Sequence, residues 1–567
     1  MRKIYNQISY ILSRKEKIFY IFFILVLILA LIFQLIGLST LLPLTNSFLK
    51  IENSGNIFNF FERYRILTGI SEMLFYLNVT FIMIVISNLI FLLSTYLSTK
   101  FAIKIEKNVR FYLMSQFMKS NYLSFLKTDA STLVSSVINE TQRFSSQVLM
   151  PIGEILSRGI LIMSISVFLI IYDPLSTVTI LVIIFSSYII YYFSLKNKIS
   201  ENNVILTKSN KDLIKYSNDI FSSFREIKIY GLENFFVKNF LSSVEKISSI
   251  RFFTIFFSST PRFVMEILVF ACVFFYFIFF NQSNDINFGY LSLLLYSFFK
   301  IIPSLQGLFS NYVSLKSSLH SLNTIYEFLK KSDYKKDVKV NNLNVDDYFE
   351  KILFNDLDFS FDDKIIFKKA NFEITKGQKI AILGPSGSGK STLINILIGI
   401  LSKNSGRIYL NNKEINSNEQ LTQHFKDIIA IIPQKPILME STLKENIILN
   451  KNYYLKKFNE ILKITKLDEL LKNLPEKEET HIHSSNLNLS GGQIQRISIA
   501  RALYRNPKIL IVDEGFNQLD STTEEILLKN ILGISDLTVI IIYHKIANEK
   551  FIDKKFIIED QKVRLIK

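Results

Sequence analysis

The fold of the second half of the chain is decided by the stretch Gly384-Pro385-Ser386-Gly387-Ser388-Gly389-Lys390-Ser391-Thr392. It fits the pattern G-x-x-x-x-G-K-[ST], whose glycines let backbone N–H groups turn inward towards phosphate oxygens. An apolar run typical of a strand, Lys379–Leu383, enters the loop, and one typical of a helix, Leu393–Ile398, leaves it. The helix adds the positive end of its dipole, while Lys390 reaches the outer phosphates and the Ser391 hydroxyl binds Mg²⁺. The stretch therefore predicts a phosphate-binding loop between a strand and a helix.

Composition separates a membrane part from a soluble part. The chain has 567 residues, of which 49% are hydrophobic, with 51 Phe, 26 Tyr and no Trp. The apolar residues concentrate before Leu308, which predicts membrane spans followed by a soluble domain. A net charge of +17 in a soluble protein would suggest nucleic acid. In a membrane protein it favours contact with anionic lipid headgroups, so we expect no nucleic-acid partner.

Six apolar runs are long enough for the ~20 residues that a membrane helix requires. They are Ile18–Leu44, Leu74–Leu97, Val148–Tyr172, Leu175–Phe193, Pro261–Phe280 and Phe288–Leu308. The first run follows a basic segment, Met1–Lys17, but it is too long for the apolar part of a secretory signal, and no small-residue cleavage pattern follows. We therefore predict six uncleaved spans.

The loops between the spans predict their orientation. The long connections Ser98–Gln147 and Ser194–Thr254 carry many Lys and Arg, whereas the tight turns Asp173-Pro174 and Asn281–Asn287 carry none. The longer first turn, Lys50–Arg65, carries three. The positive-inside rule then places both termini and the long connections in the cytoplasm, which predicts a protein of the cytoplasmic (inner) membrane.

The long connections themselves repeat apolar residues at helical spacing, so we expect the membrane helices to continue into the cytoplasm. Breaks near Asn121–Phe125 and Ser223–Gly231 predict either a short crossing helix or ordinary surface helix. A charged stretch, Lys330–Asn344, predicts a linker. The predicted domains are residues 1–330, a six-helix transmembrane domain, and residues 345–567, an α/β P-loop nucleotide-binding domain, joined by a linker at 331–344.

Four further motifs follow the phosphate loop, and most of them are strands that end in polar residues. They are Ile429–Gln434, the glycine turn Leu489–Gln493, Ile509–Glu514 and Leu537–His544. Apolar strands of this kind are buried on both faces, as in a parallel sheet, and such sheets bind ligands at the carboxyl ends of their strands. The polar residues at these ends are therefore expected to share one site.

With these motifs the second half resembles the nucleotide-binding domain of ABC transporters, and Leu489–Gln493 matches the signature of that family. With six spans ahead of it, the whole chain resembles an ABC exporter half-transporter. The resemblance implies ATP and Mg²⁺ as cofactors and ATP hydrolysis coupled to transport. It implies that the phosphate loop, the signature residues and a later acid bind the nucleotide, namely Gly384 to Thr392, Ser490, Gly491, Gly492, Gln493 and Asp520.

The resemblance also implies individual roles. Ser391, Gln434 and Asp513 would hold Mg²⁺, with Gln434 also sensing the attacking water. Glu514 would be the general base, and His544 would contact the γ-phosphate. Phe361 lies where the family has an aromatic residue that stacks on adenine, although a strand residue of the core is the alternative.

One signature and one phosphate loop per chain imply a dimer. In the family, the signature of one domain closes on the ATP bound to the other, so Ser490 and Gly492 cannot serve the same ATP as Lys390. The expected partner is a second copy of the chain or a different half-transporter. ATP would favour the closed pair because only that state supplies both sets of phosphate donors.

Two segments depart from the family pattern. Gly515–Asp520 replaces the usual Ala-Thr-Ser-Ala-Leu-Asp, and Asn517 and Gln518 are bulkier and more polar than the residues they replace. This leaves communication between the two ATP sites open. Thr480–Asn486 replaces an acidic, glycine-rich run, and its His481 and His483 are read as a surface loop rather than a metal site.

Ionisable residues also lie within the predicted spans, where they are costly and point to function. They are Glu154 and Arg158, Arg262 and Glu266, and Lys300. The two Glu/Arg pairs, four residues apart, either satisfy themselves across one helical turn or lie in water beyond the membrane. Alternatively, Arg262 and Lys300 bind a negatively charged substrate.

The segments around Arg262 and Lys300 resemble those of lipid-linked oligosaccharide flippases, which implies an amphipathic or lipid-linked substrate. A peptide or drug exporter is the alternative, although the only cysteine, Cys272, lies in the fifth span, so we expect no leader-peptide cysteine protease. A second alternative is a protein of another functional class, an ATP-gated channel or a regulatory protein on the same scaffold. Such a protein would not require Glu514 or His544. Both are present, which favours a pump.

Overall fold

The chain divides into two compact units, and the second takes in a short piece of the first half. The first unit comprises Met1–Ser120 and Thr128–Val338, and the second Asn121–Lys127 and Lys339–Lys567. The structure, a computed structural model, describes residues 2–49, 61, 63–67, 69–120, 122–126, 130–280, 288–331, 349–361, 364–411, 413–415, 425, 428–482, 489–543 and 551–566. Outside these residues lie the predicted turn at 281–287, most of the first turn, Lys50–Arg65, most of the predicted linker, His483 and His544.

The first unit is helical throughout its described residues. Its α-helices are Arg2–Ile11, Arg14–Ser39, Leu41–Leu49, Glu72–Lys119, Ala130–Ser135, Thr141–Phe144, Met150–Tyr172, Pro174–Ser222, Phe224–Tyr230, Glu233–Phe280, Phe288–Ser317 and Leu319–Lys331. Two π-helical turns, Ser136–Glu140 and Ser145–Leu149, interrupt the approach to the third span. The α-helical and π-helical segments together form one continuous helical stretch over residues 130–172.

Six described helical stretches have the length and composition of membrane spans. They are Arg14–Phe48, Glu72–Lys119, Thr132–Tyr172, Thr177–Leu195, Glu233–Ala271 and Ser292–Ser317. Each contains one of the six apolar runs, or most of it, so the predicted number and order of spans are confirmed. Several of these helices exceed what a bilayer core of about 30 Å requires. The 48 residues of Glu72–Lys119 rise about 70 Å, at ~1.5 Å per residue, so the helix extends well beyond the membrane.

Short helices occupy both predicted breaks in the long connections. Tyr122–Leu126 follows the second span, and its Leu123 packs against the core of the second unit. Phe224–Tyr230 follows the fourth span and ends at Gly231, whose φ of 65° is the left-handed conformation that stops a helix. The second short helix belongs to the first unit.

The second unit is built on strands. In chain order they are β1 (Lys351–Phe361), β2 (Lys364–Thr375), β3 (Lys379–Leu383), β4 (Ser405–Leu410), β5 (Lys413–Glu414), β6 (Ile429–Ile432), β7 (Ser441–Thr442), β8 (His481–Ile482), β9 (Ile509–Asp513), β10 (Thr538–Ile542), β11 (Lys554–Glu559) and β12 (Lys562–Ile566). Its α-helices are Lys390–Leu397, Leu443–Ile448, Leu455–Ile464, Asp468–Asn473, Gly491–Tyr504 and Ser521–Leu532.

The strands form a mainly parallel sheet beside an antiparallel one. The order β12-β11-β3-β10-β9-β6 is parallel from β11 to β6, and β12 pairs antiparallel with β11. The antiparallel sheet has the order β2-β1-β4-β5. A short pair, β7 and β8, completes the described sheets. The predicted α/β class with a parallel sheet is confirmed.

Both faces of the parallel sheet are covered, which explains why its strands are apolar throughout. Along β9, Ile509 and Ile511 enter one buried core together with the phosphate-loop helix Lys390–Leu397. Their neighbours Leu510 and Val512 enter the other core together with the helix Gly491–Tyr504. Side chains of a strand alternate between faces, so a strand buried on both sides needs apolar residues at every position.

Candidate nucleotide-binding site

The polar residues predicted to share a site follow neighbouring strands of the parallel sheet. β10 lies between β3 and β9, where Ile542 pairs with Ile382 on one side and with Asp513 on the other. β6 lies beyond β9, with Ile432 opposite Val512. The phosphate loop, Glu514 and Gln434 thus leave the same edge of the sheet, which is where α/β sheets bind their ligands.

The phosphate loop ends in a glycine that no other residue can replace without strain. Gly389 has φ 105° and directly precedes the helix Lys390–Leu397, whose N-terminus has no side-chain cap. A Cβ atom at Gly389 would lie 2.6 Å from Ile366 Cγ2 and 3.0 Å from Phe367 Cζ. The loop is therefore packed closely against the core, and the helix after it begins with backbone N–H groups that no side chain caps, which suits an anion-binding site. The buried hydroxyl of Ser388 also has no hydrogen-bond partner among the described residues, which fits a phosphate acceptor.

Lys390 folds back into the loop that precedes it. Its side chain is buried, and Nζ donates to the carbonyl oxygens of Gly384 and Pro385, both at 2.9 Å. A lysine ammonium has three N–H donors, and these contacts use two of them. A buried cation held at the centre of a glycine loop fits a multiply charged phosphate group.

Ser391 and Asp513 form the oxygen-rich part of the site. The Ser391 side chain lies close enough to the Asp513 carboxylate to influence its pKa. Burial raises the pKa of Asp513, and the neighbouring Glu514 raises it further, whereas Ser391 and Lys390 lower it. Among the described residues no cluster of three His, Cys, Asp or Glu side chains is present. One hydroxyl and one carboxylate fit Mg²⁺, which usually takes one or two protein oxygens and completes its shell with water and phosphate.

Glu514 lies at a strained turn directly after β9. Its φ of 51° is the left-handed conformation, which is uncommon for a residue with a side chain and often marks functional sites. Gln434 Nε2 donates to Glu514 Oε2 at 2.6 Å, and Asn517 Nδ2 donates to the same oxygen at 3.2 Å. The structure therefore brings the predicted general base and the predicted water-sensing glutamine into direct contact.

The signature residues form the start of a helix. Ser490 is the N-cap of Gly491–Tyr504, with its hydroxyl accepting from Gln493 N–H at 3.2 Å and Gln493 Oε1 accepting from Ser490 N–H at 2.8 Å. A Cβ atom at Gly491 would lie 2.2 Å from Gln518 Oε1. The Gln518 side chain therefore lies directly against the signature glycine, and a larger residue at position 491 would have to displace the end of that side chain.

Asp520 caps a helix, and Phe361 packs at the end of a strand. Asp520 is the N-cap of Ser521–Leu532 and accepts from Thr523 N–H at 3.0 Å. The Thr522 hydroxyl and Thr523 lower the pKa of Asp520 well below its usual value. The half-buried ring of Phe361 ends β1 and lies edge to face against Phe359, with centroids 4.9 Å apart.

Two family models match the chain. The ABC transporter transmembrane region matches residues 17–302, just over half of the chain, and the ABC transporter model matches residues 367–517. The chain belongs to the ABC transporter family. Within the given residues, one transmembrane region is followed by one ABC-type ATPase domain, which is the arrangement of an exporter half-transporter.

Several known proteins are similar to this ABC transporter chain. The lacticin-481/lactococcin-DR transport/processing ATP-binding protein of Lactococcus lactis subsp. lactis is 31% identical over 412 residues, which are 68% of this chain and 55% of that protein. The ATP-dependent permease MDL1 of Candida albicans is 32% identical over 265 residues, 44% of this chain and 37% of that protein. The chain thus spans about half the length, or less, of the curated relatives it matches.

A solved structure supports the fold. The structure of a bacterial Atm1-family ABC exporter with ATP bound superposes with a TM-score of 0.74 at 18% identity, covering 96% of this chain and 94% of that one. At this identity the likeness shows the fold alone. It agrees with the six spans and the two-sheet ATPase domain described above.

Two supporting residues of the ATPase domain were not predicted from the sequence. Arg501 donates to Ile437 O at 2.9 Å, to Asn446 O at 2.8 Å and to Asn446 Oδ1 at 3.0 Å. It thereby ties the helix that follows the signature to the segment after Gln434. The sequence signal was a single arginine within the mostly apolar second half of this helix, Ile497–Tyr504.

A second unpredicted contact lies beside His544. Tyr543, directly after β10, hydrogen-bonds to Glu524 on the helix that Asp520 caps. Burial raises the pKa of Tyr543, and the hydrogen bond to Glu524 raises it further. The last described residue before His544 is therefore fixed to a neighbouring helix.

In the transmembrane region, the first Glu/Arg pair also joins two spans. Glu154 Oε2 accepts from Arg158 Nη2 at 3.3 Å and from Asn311 Nδ2 at 2.9 Å. Arg158 Nη1 donates to Pro303 O at 3.3 Å, and a Cβ atom at Gly307 would lie 2.3 Å from that nitrogen. The pair thus links the third span to the sixth at the Pro303 position.

The two predicted substrate cations differ in their surroundings. Arg262 Nε lies 2.8 Å from Glu266 Oε1 within the same helix, so the two charges largely compensate each other. Lys300 Nζ donates to the neutral amide oxygen of Asn88 at 3.1 Å and, among the described residues, forms no ion pair. Of the two cations, Lys300 is therefore the one whose charge is not compensated by a carboxylate among the described residues.

Proposed function

We propose that the chain is an ATP-hydrolysing ABC exporter that moves an amphipathic substrate across the cytoplasmic (inner) membrane. The observation that carries this proposal is the set of contacts at the edge of the parallel sheet. There, the buried Lys390 with the adjacent Ser391, the carboxylate Asp513, and a Gln434–Glu514 hydrogen bond follow neighbouring strands. An ATP-gated channel or regulatory protein has no need for this arrangement of a base and a water-sensing amide.

We assign to these side chains the roles that the corresponding residues have in the ABC transporter family. Lys390 and the loop N–H groups hold the ATP phosphates, and Phe361 stacks on adenine. Ser391, Asp513 and Gln434 would hold Mg²⁺, which when bound neutralises charge on the phosphates. Glu514 orients the attacking water and accepts its proton, and His544 contacts the γ-phosphate. Phosphoryl transfer depends mainly on such positioning and electrostatics.

The complete site takes residues from two chains. Ser490 and Gly492 lie at the start of the signature helix, which would close on the ATP held by Lys390 of a partner. We propose a homodimer, with a second kind of half-transporter as the alternative partner. Cross-linking Ser386→Cys to Ser490→Cys, with Cys272 first changed to Ser, should give a covalent dimer when ATP is present. Adducts within one chain only would contradict the composite site.

The orientation follows from the basic connections. Lys and Arg are frequent in the two long connections and absent from the tight turns. We therefore place both termini and the ATPase domain in the cytoplasm, with membrane lipids around the spans.

For the substrate we propose an anionic head on an amphipathic, lipid-linked molecule. A lysine within a membrane span, paired only with an amide among the described residues, attracts an anion more strongly than a lysine in bulk water. Arg262 joins the interaction only if the substrate displaces Glu266, and its guanidinium binds phosphate bidentately. A lipid-linked oligosaccharide has such a head. A peptide is the second candidate, because the name of the Lactococcus lactis relative describes transport of lacticin-481.

Reconstitution tests this proposal. The protein is placed in liposomes with either a labelled lipid-linked oligosaccharide or a labelled anionic peptide, and ATP-driven translocation is followed. Lys300→Ala should abolish translocation and keep basal ATP hydrolysis, and Arg262→Ala should weaken translocation. Translocation that survives both changes would contradict the cationic substrate site. Loss of hydrolysis as well would mean that the two residues are structural.

A further inference from the structure

Two amide groups converge on a single oxygen of Glu514. Gln434 Nε2 reaches Oε2 at 2.6 Å from the loop after β6, and Asn517 Nδ2 reaches it at 3.2 Å from the turn after β9. If the Asn517 amide faced the other way, its carbonyl oxygen would meet the carboxylate, and two acceptors repel each other. The carboxylate is therefore held from two directions by N–H donors.

The turn that carries Asn517 is held tightly next to Glu514. Asn517 N–H donates to Glu514 O at 3.4 Å, and Leu519 N–H donates to Phe516 O at 3.0 Å. Phe516 itself is only 3% exposed and packs in the second core of the domain. These contacts therefore hold the Asn517 backbone next to Glu514, so that the side-chain amide of Asn517 is within reach of the carboxylate.

Two further contacts fix the ends of this turn. A Cβ atom at Gly515 would lie 2.6 Å from Ile432 Cγ2, so the alanine usual in the family does not fit without a shift. Gln518 N–H donates to Oε1 of Gln495, a fully buried side chain of the signature helix. The small residue at 515 and the larger ones at 517 and 518 thus belong to one local packing arrangement.

We propose that Asn517 is a positioning residue for ATP hydrolysis, which orients the Glu514 carboxylate together with Gln434. This inference rests on the proposed function and refines it. A carboxylate that activates water must present a fixed oxygen to the water, and free rotation of the carboxylate would reduce the fraction of productive geometries. Asn517 acts through Glu514 and makes no contact of its own with the reacting atoms.

The test is the steady-state kinetics of ATP hydrolysis by the full chain. Asn517→Leu removes the donor at similar size, and Asn517→Asp replaces it with an oxygen that repels Glu514. Losing a hydrogen bond to a charged group at an exposed side chain should lower kcat roughly 5- to 20-fold in Asn517→Leu, and further in Asn517→Asp. The KM for ATP should stay within about twofold, because binding uses other residues. Asn473→Leu, the same change at an exposed position on Asp468–Asn473, is the matched control and should leave both constants unchanged.

Repeating the Asn517→Leu substitution in a Glu514→Asp variant distinguishes a positioning role from a general loss of structure. Glu514→Asp withdraws the carboxylate by one methylene, so the Asn517 amide no longer reaches it. In that background Asn517→Leu should change kcat by less than about twofold, since interacting residues are not additive. An equal loss of kcat in both backgrounds would contradict the proposal, as would a kcat for Asn517→Leu within twofold of the wild type.

The outcomes also distinguish this inference from the proposed function. If the wild type hydrolyses no ATP, the proposed function fails and this inference fails with it. If the wild type hydrolyses ATP, Glu514→Gln does not, and Asn517→Leu is fully active, only the role of Asn517 is wrong. Should Asn517→Leu not fold, the nearly isosteric Asn517→Asp decides, with a large kcat loss at unchanged KM expected.

Discussion

Replacing Gly389 by alanine tests the phosphate loop against a control within the same loop. At Gly389 the backbone has φ 105°, and a Cβ atom would lie 2.6 Å from Ile366 Cγ2 and 3.0 Å from Phe367 Cζ. At Gly387 φ is 80°, and nothing lies within 4 Å of such an atom. Both changes strain the backbone, but only Gly389→Ala also overpacks the core.

The magnitude follows from these two contributions. A left-handed conformation costs a residue with a side chain about 1–3 kcal/mol, and this cost is common to both variants. Forcing an extra carbon into a packed core adds about 1–3 kcal/mol, and this cost falls on Gly389→Ala alone. For a domain of this size each kcal/mol corresponds to a Tm change of about 2–4 °C. Gly389→Ala should therefore unfold about 2–12 °C below Gly387→Ala.

Calorimetry of the detergent-solubilised full chain without nucleotide measures this difference. The transition of the ATPase domain is identified as the one that ATP shifts upward in the wild type. Gly389→Ala should also bind ATP at least tenfold more weakly, because the first N–H groups of the helix move. Equal unfolding temperatures for the two variants would refute the close packing of the loop on the core.

Two further predictions concern the ATPase domain. The Ser405 hydroxyl and then the Lys369 backbone N–H hold the pKa of Asp358 below its usual value. The contribution of the Asp358 carboxylate to folding stability is therefore complete above about pH 3.9, which is the pKa of an aspartate in the unfolded chain. This contribution is lost as the pH falls through the lower pKa of Asp358 in the folded protein. Urea midpoints should accordingly fall more steeply in acid for the wild type than for Asp358→Asn, and parallel curves would contradict this. Arg501→Lys should lower the free energy of unfolding by about 1–2 kcal/mol, because a lysine cannot bridge the carbonyl and amide oxygens of Asn446 and a further carbonyl at once. An unchanged Tm would contradict that bridging role.

Patterns of neighbouring residues were sufficient to predict much of this fold. Span lengths and the motifs at strand ends depend on neighbouring residues, so the six spans and the parallel sheet were predicted correctly. The i,i+4 pairing of Glu154 with Arg158 was one of the alternatives that the sequence left open, and the structure contains it. The phosphate loop was placed between the right strand and helix because its glycines and lysine act within nine residues.

Contacts between distant parts of the chain left no local signal. Lys300 meets Asn88, which is 212 residues away, and a polar residue in an apolar span does not name its partner. Asn517 was recognised as a departure from the family pattern. Its contact with Glu514 depends on a turn that packs on β6 and on the signature helix, and a single sequence does not show that packing.

The most direct test of the ATPase mechanism compares the wild type with Glu514→Gln under Mg²⁺ and ATP. Hydrolysis is measured as phosphate release, and ATP retention is measured on the same preparation. We predict Mg²⁺-dependent turnover by the wild type, and loss of turnover with retention of bound ATP in Glu514→Gln. Near wild-type turnover in Glu514→Gln would contradict Glu514 as the general base, and no turnover by a folded wild-type dimer would contradict the ATP-driven exporter itself.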